Sequence, residues 1–179
     1  RRSHRYSAAG GVRLAQFHLQ ALQPLDPPFL KRLRDISIEL FIADVSGHGL
    51  PGAFLSMITK MALEYIKDRD STVEVINAIN AVIYRSTVNN NFVTSFFCTV
   101  DTKTNIMKYC NAGHFPPLLY RKSDDKFIEL NTKGNPMGWF ITLDLQEKSI
   151  HLLSGDRILL YTDGVTECRN QKLQMFGEE

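Results

Sequence analysis

At Asn89-Asn90-Asn91 the spacing of apolar residues changes from one period to another, and few folds accommodate both halves. Upstream, apolar side chains recur at the 3.6-residue spacing of a helix. Phe54, Met57, Ile58, Met61, Ala62 and Tyr65 form one stripe over Pro51–Lys67 and are expected in the core. A second helix begins at Ser71, which has capping-box spacing to Glu74, and carries Val75, Ile76, Ile79, Val82 and Ile83 on its apolar face. Downstream, apolar and polar residues alternate, as in strands. Phe92–Asp101 and Ile106–Asn111 are joined by a turn over Thr102–Asn105, and Leu118–Arg121 and Phe127–Leu130 by Ser123-Asp124-Asp125. Glu147–Leu153 and Arg157–Tyr161 read as a last hairpin, turning at Ser154-Gly155-Asp156. Before the helices, Ile36–Val45 places Ile36, Ile38, Leu40 and Ile42 on one buried face. Helices segregated from antiparallel strands indicate an α+β fold, not a doubly wound α/β one.

Length permits one domain with a real core: 179 residues, 44% hydrophobic and 22% charged, have the composition of a soluble globular protein. A net charge of +2 gives no reason to expect nucleic acid as a partner. No apolar run is long enough to span a bilayer, so no membrane insertion is expected. The three cysteines Cys98, Cys110 and Cys168 lack C-x-x-C spacing and are expected as free thiols, which fits a cytoplasmic location. Residues 1–35 are the least readable part. Val12–Leu22 suits a strand or a short helix, and Pro24–Pro28 a turn or linker.

Chemistry concentrates in Phe41–Gly52, F-I-A-D-V-S-G-H-G-L-P-G. An apolar strand runs into Asp44, Gly47 and Gly49 allow unusual backbone angles, and Pro51 suits the first turn of a helix. Asp44 is either a helix cap or a ligand in a metal or phosphate site. Asp163 has the same context, ending L-L-Y-T-D before a glycine. Two carboxylates brought together repel unless protonated or neutralised by a cation. Hard ions such as Mg²⁺ and Mn²⁺ take carboxylate and carbonyl oxygens and retain water. A third stretch, Asn111-Ala112-Gly113-His114-Phe115-Pro116-Pro117, puts a histidine in a turn. His114 is either a turn residue or a functional group, and His48 either orients a phosphate or a water or caps the helix. They lack zinc-pair spacing, Ser46 is not in a G-x-S-x-G elbow, and no P-loop is present.

Together these stretches resemble the PPM (type 2C-like) metal-dependent serine/threonine phosphatases, in their bacterial SpoIIE/RsbU branch. The matching pieces are I-A-D-V-S-G-H-G at 42–49, F-V-T-S-F-F at 92–97 and N-A-G-H-F-P-P-L-L-Y at 111–120. N-P-M-G at 135–138, G-D-R-I-L-L-Y-T-D-G-V-T-E at 155–167 and F-G at 176–177 follow in order. The resemblance implies an α-β-β-α sandwich of two mainly antiparallel sheets flanked by helices, with a Mn²⁺ or Mg²⁺ pair at one end. It implies hydrolysis of phosphoserine or phosphothreonine on a regulatory protein of the anti-sigma-factor-antagonist type, by a metal-activated water. By position, Asp44 would bridge the metals, the Val45 carbonyl would complete one shell, and Asp163 would hold the second metal. His48, Gly49, Asn111 and His114 would bind substrate. A sensory or regulatory domain in the same parent chain and a homodimer through the two helices are also expected. Two departures favour an alternative, a catalytically impaired pseudophosphatase that binds a phosphoprotein. Val12-Arg13 follows Gly10-Gly11 where the family has an aspartate, with Asp26 or Asp35 as unsupported substitutes. The chain is also expected to lack the family's final helix and strand, with their Asp-Asp pair.

Overall fold

The computed structural model describes residues 37–47, 49–86 and 91–168, and residues 13–17 through their backbone. Among the described residues, eight strands and three helical segments run in the order β1 (Arg13–Phe17), β2 (Ser37–Val45), α1 (Gly49–Tyr65), α2 (Thr72–Ser86), β3 (Val93–Asp101), β4 (Ile106–Ala112), β5 (Leu118–Arg121), β6 (Lys126–Glu129), β7 (Glu147–His151), β8 (Arg157–Leu159) and the single turn α3 (Asp163–Thr166). They form a five-stranded sheet, β1-β2-β3-β4-β7, and a three-stranded sheet, β6-β5-β8, with every neighbouring pair antiparallel.

The larger sheet is covered on both faces, because alternate residues of its strands point opposite ways. Phe41, Ala43, Val45, Phe97, Cys110 and Ala112 join residues of α1 and α2 in one core. Ile42, Phe96, Cys98, Met107 and Tyr109 pack with Leu119 and Leu130 in a second core. The order of layers is thus helices, large sheet, small sheet. Strand β2 is therefore buried on both sides, not on the single face expected from Ile38, Leu40 and Ile42. Cys98 and Cys110 are free and lie in different cores, and burial pushes both thiols up to about 12.

Helix α1 corrects a second expectation. Its apolar stripe faces outward: Phe54, Met57, Met61 and Tyr65 are exposed, as is Leu50. Of the expected stripe Ala62 is buried, and with it Gly52, Leu55, Ser56, Thr59 and Leu63. Small residues let the helix approach the sheet closely, and the hydroxyls of Ser56 and Thr59 donate to the carbonyls of Gly52 and Leu55, each at 2.8 Å. A hydroxyl satisfied within its own helix can be buried at little cost. Helix α2 follows the sequence better, burying Val75, Ile76, Ile79 and Ile83 but leaving Val82 exposed.

The last hairpin is not formed. Strand β7 adds to β4 at the edge of the large sheet, while β8 pairs with β5 in the small one. The turn at Ser154–Asp156 carries the chain between sheets. There Arg121 meets Asp156 at 3.3 Å, largely out of solvent. Strand β7 also caps α2: the Glu147 carboxylate accepts from the Thr72 backbone N–H at 2.8 Å and from its hydroxyl at 2.7 Å. The Ser71 hydroxyl accepts from the Glu74 N–H at 3.3 Å, as the capping box requires. Replacing Glu147 by Gln keeps shape but removes the charge facing the helix N-terminus. We expect a loss of about 1 kcal/mol in urea unfolding, and about 2 kcal/mol for Glu147→Ala.

Candidate functional site

Strand β2 ends at one mouth of the space between the sheets. Leu40 and Ile42 pack into that space, so the alternation turns Asp44 the same way, half-buried at its edge. Directly across on β3 lies Thr94. Opposed residues of an antiparallel pair share a face, so their side chains stand beside one another.

From Thr94 the connection passes through an imidazole. Thr94 Oγ1 is 3.0 Å from His114 Nδ1, and His114 Nε2 is 3.1 Å from the carbonyl oxygen of Tyr161, two residues before Asp163. A carbonyl can only accept, which assigns the ring proton to Nε2 and makes Nδ1 the acceptor of the Thr94 hydroxyl. His114 is 5% exposed, and burial lowers its pKa from 6.5 to about 4, against the raising influence of the Tyr161 carbonyl and the Asp163 charge. It is therefore neutral at pH 7.

A stability effect follows. Between the unfolded value of 6.5 and the folded value of about 4, unfolded chains bind the proton and folded ones do not. Stability from this group is complete above pH 6.5 and declines as pH falls towards 4. Thermal melts across that range should show the decline in wild type and a shallower one in His114→Gln.

The turn holding His114 is tightly built. The Asn111 side chain donates to the His114 carbonyl at 2.9 Å and accepts from its N–H at 2.7 Å, while the Asn111 N–H donates to Thr132 Oγ1 at 2.8 Å. Gly113 has φ +72° and bridges Ser95, and a Cβ there would meet Pro136 at 2.8 Å. Both ring nitrogens of His114 are engaged inside the protein. The buried Asn111 likewise spends its side chain on the turn. Both residues thus help to hold the turn.

On the other side of Asp44, Val45 is buried, and Ser46 is anchored by two bonds to Phe92: its N–H donates to the Phe92 carbonyl at 2.9 Å, and its hydroxyl accepts from the Phe92 N–H at 2.7 Å. Ser46 is thus engaged structurally. Gly47 and Gly49 have φ +91° and +71°, and Gly49 opens α1 with no atom within 4 Å of where a Cβ would stand. A ligand could approach that backbone closely. His48, Val12, Asp26 and Asp35 lie outside the described residues. So do residues 169–179. Strand β1 runs beside β2 with Arg13 opposite Asp44 in register.

The geometry links the segments that carry Asp44 and Asp163 through one buried imidazole. Sequence reading missed Thr94 and Tyr161, the residues that make the connection. Both sit in motifs that were noticed, but two helices separate β2 from β3, so no local spacing signals that Thr94 faces Asp44. As donors, two carboxylates suit a hard divalent cation in kind. Among the described residues no group of three or more His, Cys, Asp or Glu could hold a metal ion.

Comparison with known proteins agrees with the motifs. The family model described as Stage II sporulation protein E (SpoIIE) matches residues 35–179. Phosphoserine phosphatase RsbU of Bacillus subtilis (strain 168) is 32% identical over 136 residues, covering 75% of this chain and 41% of RsbU. The crystal structure of the RsbU and RsbW domains of Rv1364c from Mycobacterium tuberculosis superposes with a TM-score of 0.66 at 26% identity, over 93% of this chain and 42% of that one. The SiaA PP2C domain of Pseudomonas aeruginosa shares the fold, with a TM-score of 0.69 at 20% identity, over 94% of this chain and 63% of that one. The chain thus spans less than half the length of RsbU and of the Rv1364c structure.

Proposed function

This chain belongs to the SpoIIE family, and we propose that it is a metal-dependent serine/threonine phosphatase domain acting on a phosphorylated regulatory protein of the anti-sigma-factor-antagonist type. What supports the reading is the Thr94–His114–Tyr161 connection between the segments that carry Asp44 and Asp163. In this reading Asp44, the Val45 carbonyl and Asp163 hold Mn²⁺ or Mg²⁺. When bound, such a pair supplies Lewis-acid stabilisation of phosphoryl oxygens and an acidified water. Gly47 and Gly49, at the head of α1, receive the phosphate through their backbone, and His48 is assigned to substrate binding. The turn at 111–114 keeps the Asp163 segment in place. The exposed stripe of α1 is the surface for a regulatory domain of the same parent chain or for a second copy.

A second reading, a phosphoprotein-binding pseudophosphatase, draws on the absence among the described residues of any group of three or more His, Cys, Asp or Glu able to hold a metal ion. The two readings separate in one experiment. A purified serine-phosphorylated anti-sigma-factor antagonist is incubated with the chain and Mn²⁺, and the phosphorylated form is followed by mass spectrometry. Loss of that form is expected. Persistence of the phosphorylated form in a stable complex with the chain would favour the binding reading and overturn the enzymatic one.

A further inference from the structure

The phosphatase reading assigns Asp44 and Asp163 to the site but leaves open what fixes the distance between them. They belong to different parts of the fold. Asp44 ends a strand of the large sheet, whereas Asp163 follows β8 of the small one. Between the sheets lies an apolar core, and apolar contact is non-directional, so it does not by itself define a separation to fractions of an ångström. Hydrogen bonds do. We propose that His114 is a positioning residue, an imidazole strut that sets the spacing of Asp44 and Asp163 by holding Thr94 on one side and the Tyr161 carbonyl on the other.

Each end of the strut is fixed independently. Thr94 lies within the β2–β3 ladder, directly opposite Asp44. Tyr161 is also held through its ring, which packs on Phe115 with centroids 6.0 Å apart. The turn that carries the strut is fixed as well, because Asn111 clamps the His114 backbone at both its N–H and its carbonyl. Burial keeps water from competing for either ring nitrogen. A group that touches no substrate can still govern a metal site in this way, because hard cations tolerate little error in ligand placement.

The inference rests on the phosphatase reading, and its test separates the two. Mn²⁺ binding to the full chain is measured from the electron paramagnetic resonance signal of the free ion, beside Mn²⁺-dependent phosphate release from an aryl phosphate. His114→Ala should raise the half-saturating Mn²⁺ concentration about tenfold or more. Thr94→Val, which keeps shape and removes only the hydroxyl, should shift it in the same direction. The double variant should bind no worse than His114→Ala alone, since both remove one strut. His114→Gln, which retains a donor and an acceptor, should recover most of the affinity. A strut with only a folding role would lower the melting temperature and leave Mn²⁺ affinity untouched. If wild type binds Mn²⁺ and turns over while a folded Thr94→Val or His114→Ala chain matches its affinity, the inference falls alone. If wild type neither binds Mn²⁺ nor turns over, the phosphatase reading falls and takes the inference with it.

Discussion

Asp163→Asn and Asp44→Asn should each reduce metal-dependent phosphate release by at least about a hundredfold, without unfolding the chain. The carboxamide has the size of the carboxylate but no charge, so it offsets ion dehydration poorly. Loss of a supporting group around a metal commonly costs about 10–100-fold, and loss of an anionic ligand should exceed that. Stability in the absence of metal should stay within about 1 kcal/mol of wild type, because removing one of two like charges relieves repulsion and offsets lost contacts. The check is paired: initial rates at saturating Mn²⁺, and urea melts in chelator. A matching fall in stability and activity would mean that the aspartates act on the fold and not on the reaction.

The second large effect is expected at Gly134. A Cβ built on Gly134 would lie 2.0 Å from the Asn111 carbonyl oxygen and 2.9 Å from a Leu145 methyl. The backbone oxygen cannot step aside, because the flanking Asn111 side chain and N–H are all engaged in the turn that holds His114. Overpacking typically costs about 1–3 kcal/mol, and a backbone obstacle places Gly134→Ala at or above the upper end. Thermal melts should therefore fall by about 6–12 °C or more for a domain of this size, or the variant should fail to accumulate folded. Any folded fraction should also bind Mn²⁺ weakly, since the displaced segment carries the strut.

The parts of the fold that local sequence determines were the parts that could be read from it. The β3–β4 hairpin turns where Asp101 accepts from the N–H groups of Lys103 and Thr104, and Asn105 adopts φ 55°, a short-range arrangement written in D-T-K-T-N. The β5–β6 hairpin turns similarly, at Asp125 with φ 51°. Strands β7 and β8 looked alike in sequence, yet each pairs with a strand distant in the chain, and no turn signal encodes that choice. Helix α1 defeated periodicity for another reason. It has a large apolar face and a small, partly hydroxylated one, and the sheet took the one that allows closer approach. At the site, Asp44, Asp163 and His114 stood out by residue type and context. Their connection did not, because it depends on register across β2 and β3 and on a backbone carbonyl, which has no residue-specific signature.

The most direct measurement is phosphate release from a phosphoserine peptide by chain stripped of metal with chelator, before and after Mn²⁺ is restored. The account predicts silence in the stripped protein, turnover on restoring Mn²⁺, and silence throughout in Asp44→Asn. Turnover that persists without metal, or a restored chain as inactive as the stripped one, would contradict it.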